Sequence, residues 1–145
     1  MKHLIKFNES VEWKEDFDDI NDIINIARDD NVFTRVNKNL GSKLGKYCII
    51  YLSSFTYPTR YRIDWDALFP YSRNENPEIV RLCDVNHLLN ISSEVMRRIQ
   101  NLGYNTDVRA FSSRSAGRKT NDPVDMMGDT KSRREIKLVT IKIYD

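Results

Sequence analysis

The chain has 145 residues, of which 40% are hydrophobic and 30% charged, and a formal net charge of +2. This is the size and composition of one globular domain that can bury a core without staples, which excludes the disordered and membrane-spanning classes. The net charge conceals polarity: residues 9–30 carry nine acids against Lys14 and Arg28, whereas residues 107–145 carry nine bases against six acids. Such a layout either steers a charged partner or solvates opposite faces of one domain.

In chain order, Met1 to Phe7 has too short an apolar stretch for a secretory signal and no small-residue cleavage site after it, so the expectation is an intracellular protein that is not secreted. Residues 1–9 read as a leader or, through Leu4, Ile5 and Phe7, as a first strand. From Ser10 to about Arg28 the apolar residues Trp13, Phe17, Ile20, Ile24 and Ala27 recur at three- and four-residue spacing, which predicts a helix with Ser10 as N-cap. Asp30-Asn31 stops it, and the β-branched and aromatic run from Val32 to Val36 predicts a strand. A turn at Gly41 to Gly45 then joins it as a hairpin to Lys46 to Ser54, an interior strand. Residues 55–76 read as a connection, and Asn76-Pro77 as a helix opening. Ile79 to Asp84 fits a helix or a buried strand equally.

A second helix follows, with Val85, Leu88, Ser92, Val95, Ile99 and Leu102 on one face and Gly103 as its terminator. Tyr104 to Ser112 predicts a strand, residues 113–134 a long polar loop, and Ile136-x-Leu138-Val139-x-Ile141-x-Ile143 a strongly alternating final strand. A slide of 72 residues lays Thr34 on Thr106 and Val36 on Val108, suggesting two αββ units. The expected fold is α+β, a two-layer sandwich with two long helices on one face of a mainly antiparallel sheet. Its core should hold Trp13, Phe17, Ile20, Ile24, Ile49, Leu88, Val95, Ile99, Val108, Leu138 and Ile141. Residues 10–145 form the single domain.

The chemistry-bearing residues are few. His3 and His87 are the two histidines, and His87 lies in a helical run beside Leu88, where a structural role is the commoner one. Cys48 and Cys83 stand far apart in apolar sequence and read as reduced core thiols. The carboxylates of residues 12–22 lack the register of a calcium loop, and the five glycines are scattered rather than gathered into a phosphate-binding loop. No catalytic set, metal or cofactor is expected, and the protein reads as non-enzymatic.

Interaction is another matter. In the 113–134 loop, Arg114, Arg118 and Lys119 on one side and Lys131, Arg133 and Arg134 on the other flank Pro123 to Gly128, and bases interspersed with Ser and Gly can follow a phosphate backbone. Asp122, Asp125 and Asp129 dilute that field, and the loop has no aromatic stacking platform of its own. Tyr47, Tyr51, Phe55, Tyr57 and Tyr61 offer stacking faces on the sheet or its connection, or pack in its core and rim.

The first ten residues, MKHLIKFNES, resemble the short leaders on many small proteins of large tailed bacteriophages. That resemblance implies an accessory or virion-associated binding protein in the host cytoplasm or the virion, with a capsid or host protein as partner. It also implies leader processing after Glu9, with Leu4, Ile5 and Phe7 as apolar recognition residues, although Phe7 stands where such proteases usually take Leu or Ile. The alternative reading is an intracellular regulator or host-defence antagonist that binds nucleic acid or a host protein through the basic loop 113–134. No membrane partner is expected.

Overall fold

The computed structural model describes residues 17–41, 43, 45–56, 79–112, 117–127 and 135–144. Its element order begins with a 3-10 turn at Asp18–Ile20, helix α1 at Asn21–Asp29, and strands β1 at Phe33–Asn39 and β2 at Tyr47–Ser53. A short pair follows, β3 at Phe55–Thr56 with β4 at Val80–Arg81, and then helix α2 at Val85–Asn101. Strand β5 at Asn105–Phe111, strand β6 at Arg118–Thr120, a 3-10 turn at Pro123–Met126 and strand β7 at Leu138–Tyr144 complete it. The main sheet has the order β1-β2-β7-β5-β6, and every neighbouring pair is antiparallel.

Alternation along the strands divides the sheet into two faces. Cys48, Ile50 and Leu52 of β2, Val139, Ile141 and Ile143 of β7, and Val108 and Ala110 of β5 point to one side and are buried. Both helices cover that side: α1 contributes Ile23, Ile24 and Ala27, α2 contributes Leu88, Leu89, Val95, Met96 and Ile99, and all belong to one continuous core. The fold is therefore the expected α+β sandwich with its helices on one face.

The helix ends have local causes. Asp84 caps α2 by accepting from the His87 N–H at 2.8 Å, and the His87 ring bonds through Nε2 to the Asp30 carbonyl at 2.6 Å, tying the start of α2 to the end of α1. Gly103, at φ +99°, supplies the left-handed residue after α2. Phe17 has φ 60°, so no helix runs unbroken from Ser10 to Arg28; the described helix starts afresh behind it. Phe17 is held by burial and by the Tyr104 ring, 5.6 Å away between centroids, while the Tyr104 hydroxyl donates to Asp19 at 2.8 Å.

The slide of 72 residues is obeyed in three dimensions: it carries the bounds of β1 onto those of β5 and the last residue of α1 onto the last of α2. Val36 pairs with Ile50, Val108 with Ile141, and Ile50 with Ile141, so the two αββ units meet at the middle of the sheet through their second strands. The second unit carries an insertion, β6 and the 3-10 turn, in place of a tight hairpin.

Four expectations are corrected. The 113–134 segment is not loop throughout: residues 118–120 are the fifth strand of the sheet, and Pro123 is buried while Met126 and Met127 pack on the core. Ile49 is only half-buried and faces away from the helices, because the two-residue period that buries Cys48 and Ile50 must turn Ile49 outward. Leu138 is buried as expected, in a separate small cluster on that other face with Tyr51, Phe55, Ile79 and Phe111 around it. Leu102 is 47% exposed, since α2 has ended before it. The ambiguous residues after Ile79 form β4, a short exposed strand rather than a helix or a buried strand. Trp13, the leader with Leu4, Ile5, Phe7 and Glu9, and the helix opening at Asn76-Pro77 lie outside the described residues.

Candidate nucleic-acid interface

The face of the sheet turned away from the helices carries the polar and aromatic half of each strand. One row crosses all five strands in register: Arg35, Tyr51, Thr140, Arg109 and Lys119. The next row is Asn37, Ile49, Lys142 and Asp107, and beyond it lie Asn39, Tyr47, Tyr144 and Asn105. Arg35, Arg109 and Lys119 are exposed, Tyr47, Tyr51 and Lys142 are half-buried, and Tyr144 is 39% exposed. Among the described residues of these rows, four cations thus share the surface with three tyrosines and a single carboxylate.

The opposite end of the same face is closed. There Leu138 and Phe33 are buried, and Phe55 and Ile79 pack over Leu138. Arg81 and Lys137 stack on the Phe55 ring at 4.8 and 5.6 Å from its centroid. Phe111 keeps its place because residue 117 is Gly: a Cβ at that position would overlap the ring. The open platform therefore begins at the Arg35–Lys119 row and runs to the Tyr47–Tyr144 end.

Within the platform the tyrosine faces are supported by polar neighbours. Lys142 Nζ lies 4.7 Å from the Tyr47 ring centroid, and Asn39 Nδ2 donates to the Tyr47 hydroxyl at 2.9 Å. Arg109 pairs with Asp107 at 3.7 Å, and the other oxygen of Asp107, Oδ1, is buried with no hydrogen-bond partner among the described residues. Aromatic rings held between cations on a flat sheet are the arrangement that stacks bases while neutralising the phosphates between them.

Of the basic residues singled out from the sequence, Arg118 and Lys119 are described, and they lie on opposite faces of the sheet. Lys119 pairs with Arg109 and joins the platform, whereas Arg118 pairs with Ala110 and points to the helix side. Arg114, Lys131, Arg133 and Arg134 lie outside the described residues, as do Tyr57, Tyr61, Phe7 and Glu9. Arg35, Arg109, Lys142 and Tyr144 escaped sequence reasoning, and the signal that finds them is strand alternation: each is two or four residues from another outward residue of its own strand. Asp122, counted from the sequence as a diluting charge, is instead a fastener. It accepts from Ser93 Oγ at 2.5 Å, from the Val124 N–H at 3.1 Å and from Arg97 at 3.2 Å, pinning the insertion to α2.

Both thiols resist ionisation in this setting. Burial pushes Cys48 up to about 11, with Lys38 pulling weakly the other way, and burial together with Asp84 pushes Cys83 up to about 11 as well. Among the described residues no group of histidines, cysteines and carboxylates is placed to hold a metal ion, and no helix is long and apolar enough to cross a membrane. The chain matches no protein-family model, no curated protein and no solved structure.

Proposed function

We propose that this protein is a binding module that takes single-stranded nucleic acid across the helix-free face of its sheet. The observation that carries the reading is the unbroken row Arg35, Tyr51, Thr140, Arg109 and Lys119, in which a ring lies between cations across the full width of the sheet. Single strands suit this surface better than duplex, because a duplex hides its base faces and the platform offers tyrosines for stacking. The leader's resemblance to those of small phage proteins supports an accessory role, in the virion or the host cytoplasm. A capsid or host protein is the second reading of the partner, favoured by the edge of β1 that has no ladder partner among the described residues.

Fluorescence anisotropy with labelled single strands of about 12 nucleotides, at low and moderate salt, tests the proposal. Affinity should exceed that for duplex of the same sequence and fall with salt at a log-log slope of about −0.7 per phosphate contacted. Tyr51→Ala should weaken binding by about 1 to 3 kcal/mol while the salt slope stays the same, because it removes stacking and no charge. Binding absent at low salt, or untouched by Tyr51→Ala, would refute the platform.

A further inference from the structure

Two cavities run along the outer side of β1, between that strand and α1. The larger, about 1020 Å³, is bordered by Arg28, Val32, Phe33 and Arg35 and reaches Leu82. The smaller, about 550 Å³, continues past Asn25 to Lys38. Arg28 and Val36 border both, so they make one groove alongside β1 from Phe33 to Lys38.

Three properties of this groove point to the same kind of occupant. Among the described residues its wall holds three cations and no carboxylate; Lys38 is engaged by Asp18 at 2.8 Å, while Arg28 and Arg35 have no ion-pair partner. As the terminal strand of the sheet, β1 has one edge with no ladder partner among the described residues, and such an edge is a template for another strand. The internal repeat supplies the third property. The edge of β5 that corresponds to this one is covered by an added strand, β6, so the same element already accepts strand addition in the other half of the molecule.

We propose that the groove captures an extended acidic segment of a partner protein, added to β1 as a further strand of the sheet. The edge supplies main-chain hydrogen bonds, Val36 supplies apolar contact, and Arg28 and Arg35 select carboxylates. A second copy of this chain is disfavoured at this edge, because the Arg35 and Lys38 of one β1 would approach those of the other. Nucleic acid is disfavoured as well, since a phosphodiester chain cannot return the alternating donors and acceptors of a strand edge. Arg35 borders both the groove and the sheet platform, whereas Arg28 borders the groove and lies outside the platform, so Arg28 separates the two readings.

The test uses the full chain and a fluorescein-labelled synthetic peptide of alternating Val and Glu, read by anisotropy, with circular dichroism to check that each variant folds. The expected result is saturable binding that Tyr51→Ala leaves unchanged and Arg28→Glu weakens by about tenfold or more. Arg28→Gln should fall between, and a peptide with Lys in place of Glu should prefer the Arg28→Glu variant. No binding, or equal binding by Arg28→Glu, overturns the proposal. Tighter binding once Glu12 and Glu15 are changed to Lys would assign the groove to the chain's own acidic segment. A dimer in sedimentation that Arg35→Glu dissolves would assign it to a second copy, and loss of oligonucleotide binding in Arg28→Glu would assign it to phosphates; each of these also overturns it.

Discussion

Asp122 shows how one side chain can hold an inserted segment in place. Burial alone would push its carboxyl up, but the bonds from Ser93, Val124 and Arg97 outweigh that and leave it below the usual carboxylate range. A carboxyl depressed in the folded state contributes stability that is complete above the unfolded value of about 3.9 and is lost as pH falls through the lower folded value. Asp122→Ala should therefore cost about 1 to 2 kcal/mol at neutral pH, as lost caps and charge-assisted hydrogen bonds generally do. The cost should begin to shrink as thermal melts are taken below about pH 4 and vanish only below the lower folded value, where the wild-type carboxylate is also neutralised. A gap between variant and wild type that stays constant down to acid pH would mean that packing, not the charge, holds the insertion.

At the scale of the element, β6 decides which loop charges take part in binding. It is a three-residue strand whose neighbours in sequence, Arg118 and Lys119, lie on opposite faces of the sheet. If the platform binds phosphates, Lys119→Ala should flatten the salt slope on single strands by about 0.7, whereas Arg118→Ala should leave it unchanged. Equal effects from the two would show a flexible basic loop acting by charge alone. The existence of β6 was hard to foresee, because Arg-Lys-Thr between Gly117 and Asn121 has no apolar member to betray a period of two; it is a strand because it lies on the edge of β5. The long strands were legible for the opposite reason: in Val139 to Ile143 every second residue is apolar. The platform was half legible, since alternation turns Tyr47 and Tyr51 outward but only strand order aligns them with Arg109 and Arg35. Nothing in the sequence of β1 shows that one of its edges lacks a ladder partner among the described residues, because that depends on strand order.

At the scale of the molecule, the spacing of 72 residues was visible in the sequence, but its meaning was not, because what joins the repeats is a pairing between residues 91 apart, Ile50 and Ile141. In each unit the second strand is the inner one, so neither αββ unit can complete its sheet or cover its helix alone. Ile50 and Ile141 are fully buried beneath both helices, in a core that runs without a break from α1 through the sheet to α2. Interfaces of that kind do not separate before the rest unfolds, and a chain of this length then unfolds in one step. Urea titrations followed by far-ultraviolet circular dichroism and by tyrosine absorbance should give coincident transitions. Ile50→Ala should lower the stability by about 2 to 5 kcal/mol. The decisive readout is hydrogen exchange, in which the strand amides of β1 and of β5 should lose protection together in that variant, although the substitution lies in the first unit only. Loss confined to β1 and β2 would show that the two halves are separate cooperative units joined at a seam, and that the repeat folds as two bodies rather than one.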